Sequence, residues 1–195
     1  MMNCFYEINF IISHAAESFS KSLEIYQPRV APNYPTEKNL TSNISLAFKK
    51  IRHDGGNIFQ EVPIQIQQSG KYNNHIDTFL TCYDYSVIIE AKNIWNNAKL
   101  NSLISDAGRI VDPYITSQVH SRYRVNNNSR KRYSLVVGQT MNQTFHTIWL
   151  NYSNNYPSNP VPFNNQNWTF HAEYVPYNNS SRIVDFWVIW ALIEI

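Results

Sequence analysis

The chain has 195 residues and a mass of 22.8 kDa, room for one domain of ordinary size. Its 43% apolar content excludes wholesale disorder, and a net charge of +2 excludes a histone-like polycation. No apolar run reaches the roughly 18 to 20 residues that span a bilayer; the longest, 183–195, carries Asp185 and Glu194. The first fifteen residues lack a basic segment and are interrupted by Glu7, so no secretory leader and no membrane association are expected. Two cysteines, Cys4 and Cys82, are too few for a disulfide framework or a zinc cage, which points to a reducing cytoplasm.

In chain order, Phe10, Ile11, Ile12, Ala15 and Phe19 predict a helix that ends near Pro28. Thr36 is placed to cap a second helix over 37–51, where Leu40, Ile44, Ala47, Phe48 and Ile51 recur at helical spacing. Gly55-Gly56 ends it. Residues 57–67 alternate as a strand. Residues 75–82 and 86–92 read as a hairpin turning at Tyr83-Asp84-Tyr85, with Asp84 assigned to the turn. A second amphipathic helix is expected over 94–111, stopped by Pro113, and a strand over 132–141. Strand-like runs follow at 146–152, 168–174 and 183–195. Asparagine is abundant, 25 residues against 5 glycines, and its pairs fall where turns are expected, so they serve as punctuation. The order is helix, strand, strand, strand, helix, strand. It predicts one α/β domain with a core over 36–141, an N-terminal helical extension over 1–35 and a β-rich extension over 142–195.

The hairpin carries the chemistry. Glu90 and Lys92 are two apart, so they share one face of a strand otherwise made of Val87, Ile88, Ile89 and Ala91. Folding about Asp84 brings Asp77 beside Glu90 or its neighbour. Two adjacent carboxylates repel unless a cation lies between them, and Mg²⁺ is the natural occupant. Such a cation polarises a phosphoryl oxygen, while a lysine alongside positions water or neutralises charge. The bland alternatives are an ordinary surface ion pair for Glu90 and Lys92, and a strand-solvating role for Asp77.

The spacing of Asp77 to Glu90-Ala91-Lys92 resembles the D-x(n)-(D/E)-x-K signature of the PD-(D/E)XK nuclease superfamily, the restriction-endonuclease-like enzymes. The resemblance covers about 36–141, with Ile76 standing where the motif often has proline. It implies an αβββαβ core with a mixed sheet flanked by helices. It also implies a Mg²⁺-dependent endonuclease acting on DNA, with Mn²⁺ as a substitute. Asp77 and Glu90 would bind the metal, Lys92 would serve catalysis, and Glu37 on the first core helix would be an auxiliary acid. Glu61 is the rival for that last role, and an acid in the first turn of a helix is favoured by the dipole in any case. Asp106 and Arg109 fall on the second core helix, which contributes a polar residue in some relatives. The alternative function is a non-catalytic nucleic-acid- or protein-binding module on the same fold.

Arg122, Arg124, Arg130, Lys131 and Arg132 form a basic stretch suited to phosphates, or a solvated loop. Lys49, Lys50 and Arg52 extend that surface or are the exposed end of a helix. The six histidines show no HxxxH or HxH spacing, against zinc. No GxSxG, Walker A loop or GxGxxG occurs. Phe186, Trp187 and Trp190 suit core, a dimer strand or sheet extension better than base stacking. A homodimer and an activating protein partner are both compatible with so short a chain.

Overall fold

A computed structural model describes residues 3–26, 37–53, 55–65, 74–125, 130–154, 159–163, 167–179 and 182–195. The expected Thr36 cap, Pro28 and the asparagine triplet 126–128 lie outside these residues.

A six-stranded mixed sheet runs β1-β2-β3-β4-β8-β5. It comprises β1 (Asn57–Ile64), β2 (Asn74–Thr81), β3 (Tyr85–Asn93), β4 (Lys131–Thr140), β5 (Thr169–Tyr174) and β8 (Trp187–Glu194). A separate hairpin pairs β6 (Tyr177–Asn179) with β7 (Arg182–Val184). β3 and β4 are parallel and the other pairs antiparallel. A parallel pair needs a crossover. Here α3 (Asn97–Ile110) and α4 (Pro113–Arg122) supply it.

Two cores flank the sheet. On one face α1 (Cys4–Tyr26) and α2 (Glu37–Ile51) bury Ile8, Ile11, Ile12, Ala15, Phe19, Leu40, Ile44 and Phe48 against Leu80, Val87, Ile89 and Leu135. On the other, α3, α4 and α5 (Gln143–Asn151) bury Leu103, Ala107, Val119 and Trp149 against Ile88, Val136 and Ile189. β3 is therefore covered on both sides, which is why its stretch from Val87 to Ala91 is apolar apart from Glu90.

Several expectations change. Phe10 is exposed, and α1 instead buries Ile8, Ile11 and Ile12. α3 ends at Ile110, before Pro113 as expected, but Pro113 also opens a further helix, α4, at the first helical position, where its missing N–H costs nothing, and Asp112 caps that helix by accepting from Tyr114 N. The run 146–152 is helical. Asn142 caps α5 through Thr144 N, and Phe145 and Trp149 share a face at i, i+4, which outweighs the strand preference of Ile148 and Trp149. The 142–195 segment completes the main sheet, because β8 lies between β4 and β5. Phe186, Trp187 and Trp190 are buried there.

Arg52 is not an exposed helix end. It lies between Glu7 (2.5 Å) and Asp84 (2.8 Å), with its guanidinium over the Tyr85 ring. Asp84 thus anchors the hairpin as well as turning it. Among the described residues no helix is long and apolar enough to cross a membrane.

Candidate active site

The β2–β3 pairing runs from Thr81–Ser86 to Thr78–Ile89 and stops. Continued by one residue, that register sets Asp77 across from Glu90. At this point β2 leaves β3, and the Asp77 carboxylate takes over a ladder position by accepting from Ala91 N at 2.7 Å. The β1–β2 ladder is interrupted at the same residue. Gln60 pairs with Thr78 and Val62 with Ile76, but Glu61 and Asp77 do not pair. Glu61 has φ +51°. A non-glycine residue in that region costs about 1–3 kcal/mol and persists only where its surroundings impose it.

Glu90 and Lys92 point from β3 towards α3, as their shared face requires. Glu90 is 1% exposed, and its Oε1 accepts from Arg109 Nη2 at 2.7 Å. The same nitrogen lies 2.9 Å from Asp106 Oδ1, and Asp106 Oδ2 lies 3.2 Å from Lys92 Nζ. Arg109 Nε is buried with no hydrogen-bond partner among the described residues. Asp106 and Arg109 are one helical turn apart on the edge of the apolar stripe of α3, so both reach the sheet.

Glu37 opens α2 and reaches the end of β3, where its Oε1 accepts from Asn93 N at 3.2 Å. The Asn93 side chain in turn accepts from Gln139 Nε2 on β4. Glu37, Lys38, Thr41, Ser42, Gln60, Glu61 and Asp77 line a polar cleft of about 220 Å³. Asp77 joins this cleft to the charged group on β3 and α3. Glu61 pairs with Lys38 at 3.2 Å across the cleft mouth, with both side chains largely exposed.

The electrostatics follow from this placement. Burial and then the charge of Asp77 push the Glu90 carboxyl well above the ordinary glutamate value, and Arg109 offsets only part of that. Burial disfavours the Lys92 ammonium, but Asp106, Glu37 and Asp77 outweigh it and hold its pKa above the ordinary lysine value. Lys92 is therefore a cation at neutral pH.

The structure brings Asp77, Glu90, Lys92 and Glu37 to one end of β3. It does not bring the 130–132 part of the basic stretch there. Lys131 is level with Tyr85 and Gly138 with Lys92, so the start of β4 lies seven residues away, about 23 Å along the strand. Arg130 donates to Tyr83 O and Thr81 Oγ1, and Lys131 pairs with Glu194. Arg122 and Arg124 flank Tyr123, which stacks on Phe59. Arg132 is half-buried, and its carbonyl accepts from Ile195 N. Lys49 donates to Gly56 O, and Lys50 contacts His14.

Lys38 and Gln60 were not legible as cleft residues, because nothing in their spacing marks them. The i, i+3 acid–base pair Asp106/Arg109 at the border of an apolar stripe was a readable signal. Among the described residues no three His, Cys, Asp or Glu side chains converge tightly enough to hold a metal by themselves. Mg²⁺ commonly uses one or two carboxylates, completed by water and phosphate oxygens. Asp77 and Glu90 suit that pattern. Each presents hard oxygen donors, and Asp77 Oδ1 and Glu90 Oε2 have no hydrogen-bond partner among the described residues. No protein-family model, no curated protein and no solved structure matches the chain.

Proposed function

We propose that the chain is a metal-dependent phosphodiester hydrolase of PD-(D/E)XK type, an endonuclease acting on DNA, built on a restriction-endonuclease-like core. The observation that carries this reading is the break in both ladders at Asp77. It turns the Asp77 carboxylate onto Ala91 N, between Glu90 and Lys92 on β3, at a polar cleft. The order α2, β1, β2, β3, α3, β4 agrees with the expected core, with α4 as an addition.

Asp77 and Glu90 would hold Mg²⁺, with Mn²⁺ as a substitute. When bound, the ion supplies Lewis acidity towards a phosphoryl oxygen. Four carboxyl groups (Glu37, Asp77, Glu90, Asp106) face two cations (Lys92, Arg109), so the cluster stays acidic even with Glu90 protonated, which favours a divalent cation. Lys92, kept protonated, is no general base; it orients the attacking water and neutralises charge building on the phosphate. Glu37 holds the end of β3 and borders the cleft as the auxiliary acid. The basic segment is the seat for phosphates away from the scissile bond. A strand reaching from the carboxylates to Lys131 would span about 23 Å, about seven base steps.

One observation favours a second reading, a non-catalytic binding module: Glu90 and Lys92 already have ion-pair partners on α3. The two readings part in the variant Asp77→Asn. The nuclease reading expects Mg²⁺-dependent cutting by the wild type and its loss in the variant, with circular dichroism unchanged. Undiminished cutting by the variant contradicts it. Nucleic-acid binding without cutting, by either protein, favours the module.

A further inference from the structure

Arg109 lies where a divalent cation would draw on Glu90. One guanidinium nitrogen, Nη2, serves both Glu90 Oε1 at 2.7 Å and Asp106 Oδ1 at 2.9 Å. Asp106 spends its other oxygen on Lys92. These four charges form a chain, Glu90–Arg109–Asp106–Lys92, that links the two functional residues of β3 through one helical turn of α3. Glu90 is nearly sealed from solvent, and within that chain Arg109 is its directly bonded cation, with Lys92 adding a smaller effect. Nothing in the general need to bury a sheet requires it: α3 already packs through Leu100, Leu103, Ile104, Ala107 and Ile110. A buried ion chain of this kind is a weak source of stability, because desolvation consumes most of the Coulomb gain. Arg109 Nε, buried without a hydrogen-bond partner among the described residues, shows that the chain is not at its own optimum.

We propose that Arg109 is a positioning residue that competes with the divalent cation for Glu90, and that Asp106 sets the strength of that competition. The inference rests on the nuclease reading above. Arg109 fixes the direction of the Glu90 carboxylate by holding Oε1, and leaves Oε2 without a hydrogen-bond partner among the described residues. Its positive charge simultaneously weakens the pull of the cluster on a second cation. Asp106 draws Arg109 back towards α3 and keeps Lys92 on the same side. Affinity for the cation is thus traded for a fixed geometry at Glu90.

The test is calorimetric titration of Mn²⁺ and of Ca²⁺ into the full chain without nucleic acid, alongside cleavage rates. Arg109→Met removes the competing charge. It is expected to tighten Mn²⁺ binding by about tenfold or more, from the Coulomb effect of one unit charge at this range. The same variant should cut more slowly, because Glu90 is no longer aimed. Arg109→Lys keeps the charge on a shorter side chain that holds Glu90 less closely, so its affinity should fall between wild type and Arg109→Met. Asp106→Asn removes a negative charge and releases Arg109 to Glu90, so it should weaken Mn²⁺ binding. Should Arg109→Met fail to fold, the Lys and Asn variants still bracket the wild type from opposite sides. Equal affinities in all folded variants, or weaker binding in both Arg109 variants, would overturn the inference while leaving the nuclease reading in place. A wild type that binds neither cation would overturn both.

Discussion

Arg52 ties together three parts of the chain that sequence spacing keeps apart. It closes α2, it meets Glu7 from α1, and it meets Asp84 at the turn of the hairpin that presents Asp77 and Glu90. Tyr85 completes the group by donating its hydroxyl to Glu7 Oε1 at 2.9 Å beneath the guanidinium. Replacing Arg52 with Met keeps most of the side-chain volume and removes the charge. Glu7, with 9% of its side chain exposed, would then be a buried carboxylate with only Tyr85 to satisfy it. The Asp84 contact is more exposed at 37% and adds little. Removing one partner of a buried pair costs about 3–5 kcal/mol. In a chain of this length that corresponds to a fall of about 6–20 °C in Tm. Scanning calorimetry at neutral pH measures it directly. The double variant Arg52→Met/Glu7→Gln should recover part of the loss, because neither charge is then buried alone. A single variant that melts within about 2 °C of the wild type would refute the burial argument.

Gly138 on β4 is held to glycine by its neighbours, since an added Cβ would meet Ile94 Cδ1 at 2.5 Å, Ile189 Cγ1 at 3.0 Å and Leu103 Cδ2 at 3.2 Å. Gly138→Ala should cost about 1–3 kcal/mol in urea unfolding, and it should lift α3 from the sheet and so disturb Glu90 and Lys92 through Asp106 and Arg109. Burial holds His171, stacked on Trp190, below the ordinary histidine value. It also holds His120 low, where Arg132 and Arg130 add to the effect against the Thr116 carbonyl bond. Both take up protons more readily when unfolded, so their contribution is complete above about pH 6.5 and is lost as pH falls through that value. Between about pH 7.5 and about pH 5.5 the wild type should therefore lose Tm more steeply than His171→Phe, which keeps the stack without the titrating ring; parallel slopes would contradict this.

The core elements were legible because their periodicity is local. Leu40, Ile44, Ala47 and Phe48 announce α2, and the hairpin turn at Asp84 announces β2 and β3. The facing of Glu90 with Lys92 follows from strand parity alone. What the sequence hid depends on long-range partners. Nothing near Arg52 reveals Glu7, which lies 45 residues earlier. The split of the crossover into α3 and α4 turned on Pro113, which follows the end of one helix and, with Asp112 as cap, opens the next. α5 was hidden by its own composition, aromatic and β-branched residues that favour a strand until Asn142 caps them into a helix. The distance between the basic stretch and the carboxylates was also unreadable. The parallel register of β3 and β4 decides it, and that register is set by the crossover rather than by either strand.

The central claim is that Asp77, Glu90 and Lys92 form a metal-dependent phosphodiesterase centre. Its most direct test is cleavage of supercoiled plasmid, single-stranded DNA and RNA by wild type and Lys92→Ala, each with Mg²⁺ and with EDTA. The account predicts cutting of DNA by the wild type with Mg²⁺, none with EDTA, and none by Lys92→Ala. Cutting that survives EDTA, or a Lys92→Ala variant as active as the wild type, would contradict it.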